Sequence, residues 1–331
     1  PAPYRYHPPV TIADRLSIED VALIKSTAER LQASVEAVIV GKPDVVRLAL
    51  VALLCEGHIL LEDVPGLGKT TLAKSIARSL GCTFKRIQFT PDLMPSDITG
   101  INYYNQKLGE FVFREGPLIA QVVLADEINR ATPRTQAALL EAMEEHQLTV
   151  EGVTTMLPSP FLVVATQNPV ELEGTFPLPE AQLDRFLVRL KLGYPGEDEE
   201  DEILRRFEGE NPMDTLQPVI TGEELTRLAH ALRHLHVEPA VRRHAVRIVQ
   251  ATREDPAFEL GASPRASIAL MKAAQALALF DGLEFVTPEQ IQELAEPVIA
   301  HRLVMEPQAR FSGLTARGVV EGVVKRIKVP A

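Results

Sequence analysis

Two cysteines, Cys55 and Cys82, are all the thiol chemistry in 331 residues. Both fall in apolar helical or turn context, so they read as buried free thiols, a usage that fits a cytosolic (cytoplasmic) compartment. No stretch approaches the apolar length of a membrane span, and no secretory signal is visible. Positive charge is in deficit: 34 Lys and Arg stand against 45 Asp and Glu, a net charge of −11. A chain whose main task is binding nucleic acid usually carries a basic footprint, so this balance argues against that class and leaves room only for a local basic channel. Internal repeats are lacking, as is low-complexity sequence outside the termini. The length suffices for two domains and a large core, and the apolar content is ordinary for a globular protein.

The most informative segment runs from His58 to Thr71. Ile59, Leu60 and Leu61 predict a short buried strand, Asp63 to Gly68 a loop, and Lys69, Thr70 and Thr71 the opening of a helix that continues to Arg78. Such a helix start binds phosphate oxygens through its exposed N–H groups and partial positive charge. Gly66 and Gly68 let the backbone close around phosphates, Lys69 reaches the β- and γ-phosphates, and the Thr70 hydroxyl suits Mg²⁺. The run Pro65, Gly66, Leu67, Gly68, Lys69, Thr70 is intact, but Asp63 stands where the general pattern has glycine. Asp tolerates unusual backbone angles, so the loop is still expected to close.

Residues 1–16 open with a Pro-rich stretch and predict an extended arm. Ser17 with Glu19 and Asp20 marks a helix start, followed by helical spacing at Val21, Ile24, Ala28, Leu31 and Val35. An apolar break at Val38–Gly41 precedes a second helix with Pro43 near its start. Short apolar or β-rich runs then recur at 84–89, 122–125, 161–166 and 186–192, alternating with helical or turn segments. That alternation predicts a mostly parallel sheet with helices on both faces, whose ligands bind at the carboxyl ends of the strands; all the candidate site residues are expected there. Two hairpins are predicted, one around Gly109 and one around Gly152. After Tyr194-Pro195-Gly196 comes an acidic run, 197–202, read as a solvated first helical turn. Beyond it the pattern is helical with no clear strand. The expected division is therefore a nucleotide-binding core over 17–193 and an all-helical domain over 194–331.

Val122–Ala125 leads into Asp126 and Glu127. Alone, an apolar run ending in two acids is an ordinary strand end meeting solvent. Downstream of a phosphate loop it reads differently: strand alternation aims the two carboxylates apart, Asp126 toward Mg²⁺ and Glu127 toward a water as general base. Asn168, after the strand ending near Thr166, suits a γ-phosphate or water contact, or simply an Asn-Pro turn with Pro169. Arg185 is either an ion-pair partner for Asp184 or a finger for a neighbouring subunit's phosphate. Arg265, at a helix start, either caps and pairs on the surface or reaches back to the same nucleotide. His230 and His234 share a helix face, but no Cys or acid completes a metal set, and a solvated basic face is the better reading.

Taken together, the strings Leu60–Thr70, Ala125–Ala131, Thr135–Glu145, Ala165–Pro169, Leu178–Phe186 and Gly261–Ala266 resemble the AAA+ ATPases, and within them the MoxR family, over nearly the whole chain from Ser17. The resemblance implies an AAA+ P-loop NTPase fold: a parallel five-stranded sheet between helices, β-hairpin insertions facing a ring pore, and a helical lid. By resemblance Lys69 and Thr70 belong to Walker A, Asp126 and Glu127 to Walker B, Asn168 is sensor 1, Arg185 the finger acting in trans, and Arg265 sensor 2. Val40 and Gly41 correspond to the contact near adenine. It further implies Mg²⁺-dependent ATP hydrolysis by a hexameric ring with chaperone-like action on a protein client, alongside a von Willebrand A-domain partner. Two rival expectations stand beside it: an ATP-driven, DNA-dependent motor, and a non-catalytic nucleotide-switch scaffold.

Overall fold

The structure, a computed structural model, describes residues 16–169 and 174–330; the expected arm lies outside these apart from Leu16. Helix α1 (Ile18–Glu36) starts at a reciprocal cap, with the Asp20 N–H donating to Ser17 Oγ (3.1 Å) and the Ser17 N–H to the Asp20 carboxylate (3.1 Å). Its buried stripe contains Val21, Ile24, Ala28, Leu31 and Val35, as the spacing predicts. Helix α2 (Pro43–Leu54) opens on proline, whose missing N–H costs nothing there.

The strands, in chain order, are β1 (His58–Glu62), β2 (Phe84–Gln88), β3 (Gly100–Asn105), β4 (Glu110–Glu115), β5 (Val122–Asp126), β6 (Gln147–Val150), β7 (Val153–Met156), β8 (Leu162–Gln167), β9 (Phe186–Leu190), β10 (Phe258–Leu260) and β11 (Val304–Met305). Five of them form one parallel sheet in the order β2-β5-β8-β1-β9. Strand alternation divides the core. Ile59, Leu61, Leu124 and Val164 face one side, while Leu60, Val123, Val163 and Phe186 face the other. The two expected hairpins are β3–β4 and β6–β7.

Helices α3 (Lys69–Ser79), α4 (Pro95–Thr99), α5 (Pro133–Glu145) and α6 (Glu180–Leu183) accompany the sheet. The rest of the chain carries α7 (Glu197–Phe207), α8 (Pro212–Thr215), α9 (Gly222–Ala231), α10 (Pro239–Glu254), α11 (Pro264–Asp281), α12 (Pro288–Ile299), α13 (Pro307–Phe311) and α14 (Ala316–Arg326). This region is mostly but not wholly helical, because β10 and β11 pair antiparallel. Segments of two or three residues are too short to show a period of two, which is why the helical pattern hid them. Its core is continuous with the first helices: Leu50 of α2 and Val35 of α1 belong to the same buried cluster as Leu277 of α11 and Leu294 of α12.

Candidate active site

The loop after β1 closes through two residues that need glycine for angle rather than for space. Gly66 and Gly68 have φ of +87° and +86°, and a Cβ on either would meet nothing within 4 Å. Lys69, almost fully buried, turns its Nζ onto the Asp63 carbonyl (2.6 Å). Burial pulls the lysine's pKa down, and the neighbouring Asp126, Asp63 and Glu127 push it back up.

At the tip of β5, Asp126 is held on both oxygens. Oδ1 accepts from Thr166 Oγ1 (2.6 Å); Oδ2 accepts from Arg86 Nε (3.1 Å) and Nη2 (2.6 Å). Glu127 is not aimed by strand alternation as the sequence suggested. It lies beyond the strand at φ +57°, ψ +48°, a left-handed conformation uncommon for any residue but glycine, and that turn directs it. Its N–H donates to the same Thr166 Oγ1 (2.8 Å), so one hydroxyl fixes both acids. The Glu127 carboxylate accepts from Gln88 Nε2 (2.8 Å) and pairs with Arg130 (3.3 Å).

These groups converge. Pro65, Lys69, Asp126, Glu127, Arg86 and Gln88 line a cavity of about 390 Å³, to which Thr70 and Thr71 also contribute. A second cavity of about 440 Å³ adjoins it through Gly66, Gly68, Thr70 and Thr71. Its other walls are mainly apolar, with Val40, Leu67, Ile203, Phe207 and Met213 among them. A polar cradle with a fixed lysine, joined to an apolar slot, suits a phosphorylated compound with a flat hydrophobic base. Gly41 stands beside Val40 at φ +70°, and a Cβ there would fall 2.1 Å from Glu199 Cδ. Glu199 in turn accepts from the Gly196 N–H (2.9 Å) and from Lys42 Nζ (3.1 Å), which hold its carboxyl below the usual range. The acidic run is thus partly engaged rather than simply solvated. For a divalent cation, the Thr70 hydroxyl and Asp126 carboxylate offer hard oxygen donors in one cavity, a chemistry that fits Mg²⁺.

The remaining candidates lie elsewhere. Asn168 is buried just past β8 and lines neither cavity. Arg185 and Arg265 both pair with Glu144 of α5, at 2.9 Å to Oε2 and 3.0 Å to Oε1. They line a third cavity, of about 230 Å³, with His58, Lys272 and Arg302. This corrects the expectation that all candidates sit at the carboxyl ends of the strands. Arg185 immediately precedes β9, and the first residue of β9, Phe186, is in register with His58, the first of β1. In a parallel sheet that is the end opposite the phosphate loop, about 16 Å away for a five-residue strand. Arg265 accompanies it there, so it does not reach back to its own chain's loop. Sequence reasoning passed over Arg86, Gln88 and Glu144. The first two are two residues apart on one strand and therefore share a face, a signal that is present, but the sequence reading takes that strand only as an element of the sheet and not for its polar side chains.

Comparison with known proteins shows the family and the fold. Residues 58–188 match the ATPase family associated with various cellular activities, and residues 250–321 match an AAA lid domain. The uncharacterized protein YeaC of Bacillus subtilis is 52% identical over 293 residues, 88% of this chain and 92% of that one. Chaperone MoxR1 of Mycobacterium tuberculosis is 43% identical over 321 residues, 94% of this chain and 85% of that one. A crystal structure from Cytophaga hutchinsonii aligns with a TM-score of 0.89 at 36% identity, covering 95% of this chain and 98% of that one.

Proposed function

The chain belongs to the MoxR family of AAA+ ATPases, and from that premise we propose that it hydrolyses ATP with Mg²⁺ in a ring, hexameric by resemblance, whose sites are completed between subunits. The observation carrying this reading is the separation just described. The phosphate cradle with its two carboxylates lies at one end of the sheet, and Arg185 and Arg265 lie at the other, paired with Glu144. One chain thus holds two half-sites, which two adjacent copies can join.

In each site Lys69 and the N–H groups of the loop bind the β- and γ-phosphates, and the base enters the slot beside Val40 and Gly41. Thr70 and Asp126 would hold the metal, which would supply neutralisation of charge on the phosphate oxygens. Glu127, set by its left-handed turn and Gln88, orients the attacking water and takes its proton; Asn168 assists from the tip of β8. Arg185 of the next subunit, with Arg265, stabilises charge on the transferred group. Fingers of this kind are worth about 10³–10⁵ in rate, so an isolated chain turns over slowly.

The proposed division is a nucleotide-binding core over 17–193 and a lid over 194–331. The work done is chaperone-like remodelling or assembly of a protein client, by analogy with the chaperone named above; the von Willebrand A-domain partner follows from the family resemblance alone, and the cytoplasmic setting from the cysteine usage. Among the described residues no helix is long and apolar enough to cross a membrane. Subunit mixing tests the central point. Glu127→Gln and Arg185→Ala proteins are each expected to be nearly inactive while still binding ATP, and mixing them restores turnover at interfaces pairing an intact Glu127 with an intact Arg185. No recovery in assembled mixtures overturns the shared site. Strong stimulation by single-stranded DNA would instead favour the motor reading, against which the acidic balance counts.

A further inference from the structure

Asp63 is the chain's departure from the general phosphate-loop pattern, and the fold gives it three attachments. Its N–H donates to the Gln167 carbonyl at the tip of β8 (3.2 Å), and its carbonyl accepts from Lys69 Nζ (2.6 Å). Its carboxylate Oδ2 accepts from the N–H groups of Leu192 (2.5 Å) and Gly193 (3.2 Å), just beyond β9. A glycine would keep the first two attachments and lose the third. The second and third together span the two cavities: the carboxylate holds Leu192 and Gly193, which line the apolar slot, and the carbonyl holds Lys69, which lines the phosphate cradle. Without the carboxylate, two backbone donors at the turn from β9 toward α7 need another partner.

We propose that Asp63 is a positioning residue, a strap that locks the phosphate loop to the β9–α7 connection so that base slot and phosphate cradle stay in register. The inference rests on the nucleotide-binding reading above. It has a counterintuitive consequence: Asp63→Gly, which restores the general motif, weakens nucleotide binding instead of improving it.

The test uses the full chain, the fluorescent probe mant-ADP, and hydrogen exchange of the 187–196 segment. Asp63→Gly and Asp63→Leu, the latter similar in shape but unable to accept a hydrogen bond, are expected to raise the Kd about tenfold, the scale of one lost charge-assisted anchor. Asp63→Asn, which keeps an acceptor oxygen, is expected to stay within about threefold of the wild type. Exchange at Leu192 and Gly193 is expected to be fast in the Gly and Leu variants, and saturating ADP no longer slows it as it does in the wild type. Should the Gly variant fail to fold, the Leu and Asn pair carries the comparison. Wild-type affinity and wild-type exchange in Asp63→Leu overturn the strap. Lys69→Ala separates the two levels: if the wild type does not bind mant-ADP any better than Lys69→Ala, the nucleotide reading itself fails, and the strap with it.

Discussion

Arg86 occupies one oxygen of Asp126, with Nη2 at 2.6 Å and Nε at 3.1 Å from Oδ2. The same carboxylate is the proposed cation ligand, and on that proposal Arg86 competes with the metal. Arg86→Gln is expected to lower the Mg²⁺ concentration needed for half-saturation with mant-ADP, by tenfold or less, on the order of one half-exposed charged pair. Binding of metal-free ADP should weaken in the same variant, since a positive charge has left the phosphate cradle. A Mg²⁺ titration that superimposes on the wild type rejects the competition.

Glu144 holds Arg185 and Arg265 together, one on each oxygen. Delivering these arginines to a neighbour's phosphate means breaking both pairs. Glu144→Gln weakens them without changing shape, so the protein concentration giving half-maximal turnover should fall about threefold, the modest scale of exposed ion pairs. Turnover measured against protein concentration decides it; a rise in that concentration shows that Glu144 positions the arginines instead of competing for them.

Two buried histidines set an acid limit. The His58 ring donates to the Met143 carbonyl through Nε2 (3.0 Å) and accepts from the Val163 N–H at Nδ1 (3.1 Å), and burial pulls its pKa down to about 4. Burial also holds His301 well below its usual range. A lowered histidine pKa means that the unfolded chain takes up protons first. For His58 the stability is therefore fully present above about pH 6.5 and is lost as pH falls toward 4, by up to about 1.4 kcal/mol per pH unit; His301 adds a loss in the same direction. Urea unfolding at pH 7.5, 6 and 5 should show this loss, with a shallower slope in His58→Gln. Equal slopes remove His58 from the account.

Gly68→Ala adds a Cβ with open space around it but at φ +86°. The cost is conformational, roughly 1–2 kcal/mol. It falls on the loop, so mant-ADP binding should drop about tenfold while the thermal midpoint changes little. Wild-type binding would show that the loop adopts another shape with nucleotide.

What the sequence determined by itself was local. A buried run of three residues, two glycines at positions needing left-handed angles and a lysine at a helix start specify strand, loop and cradle, because period and backbone angle are properties of neighbours in the chain. The five sheet strands and both hairpins were legible for the same reason. Even the displacement of Arg185 to the far end was readable, since a residue before a parallel strand lies opposite one that follows it. Tertiary structure alone decided what meets what: Asp63 with Leu192, 129 positions on, Arg265 with Glu144, 121 positions back, and Arg86 with Asp126, 40 on. Such meetings arise from strand order and helix packing, and a charged side chain in a one-dimensional pattern carries no mark of the partner that packing will bring to it.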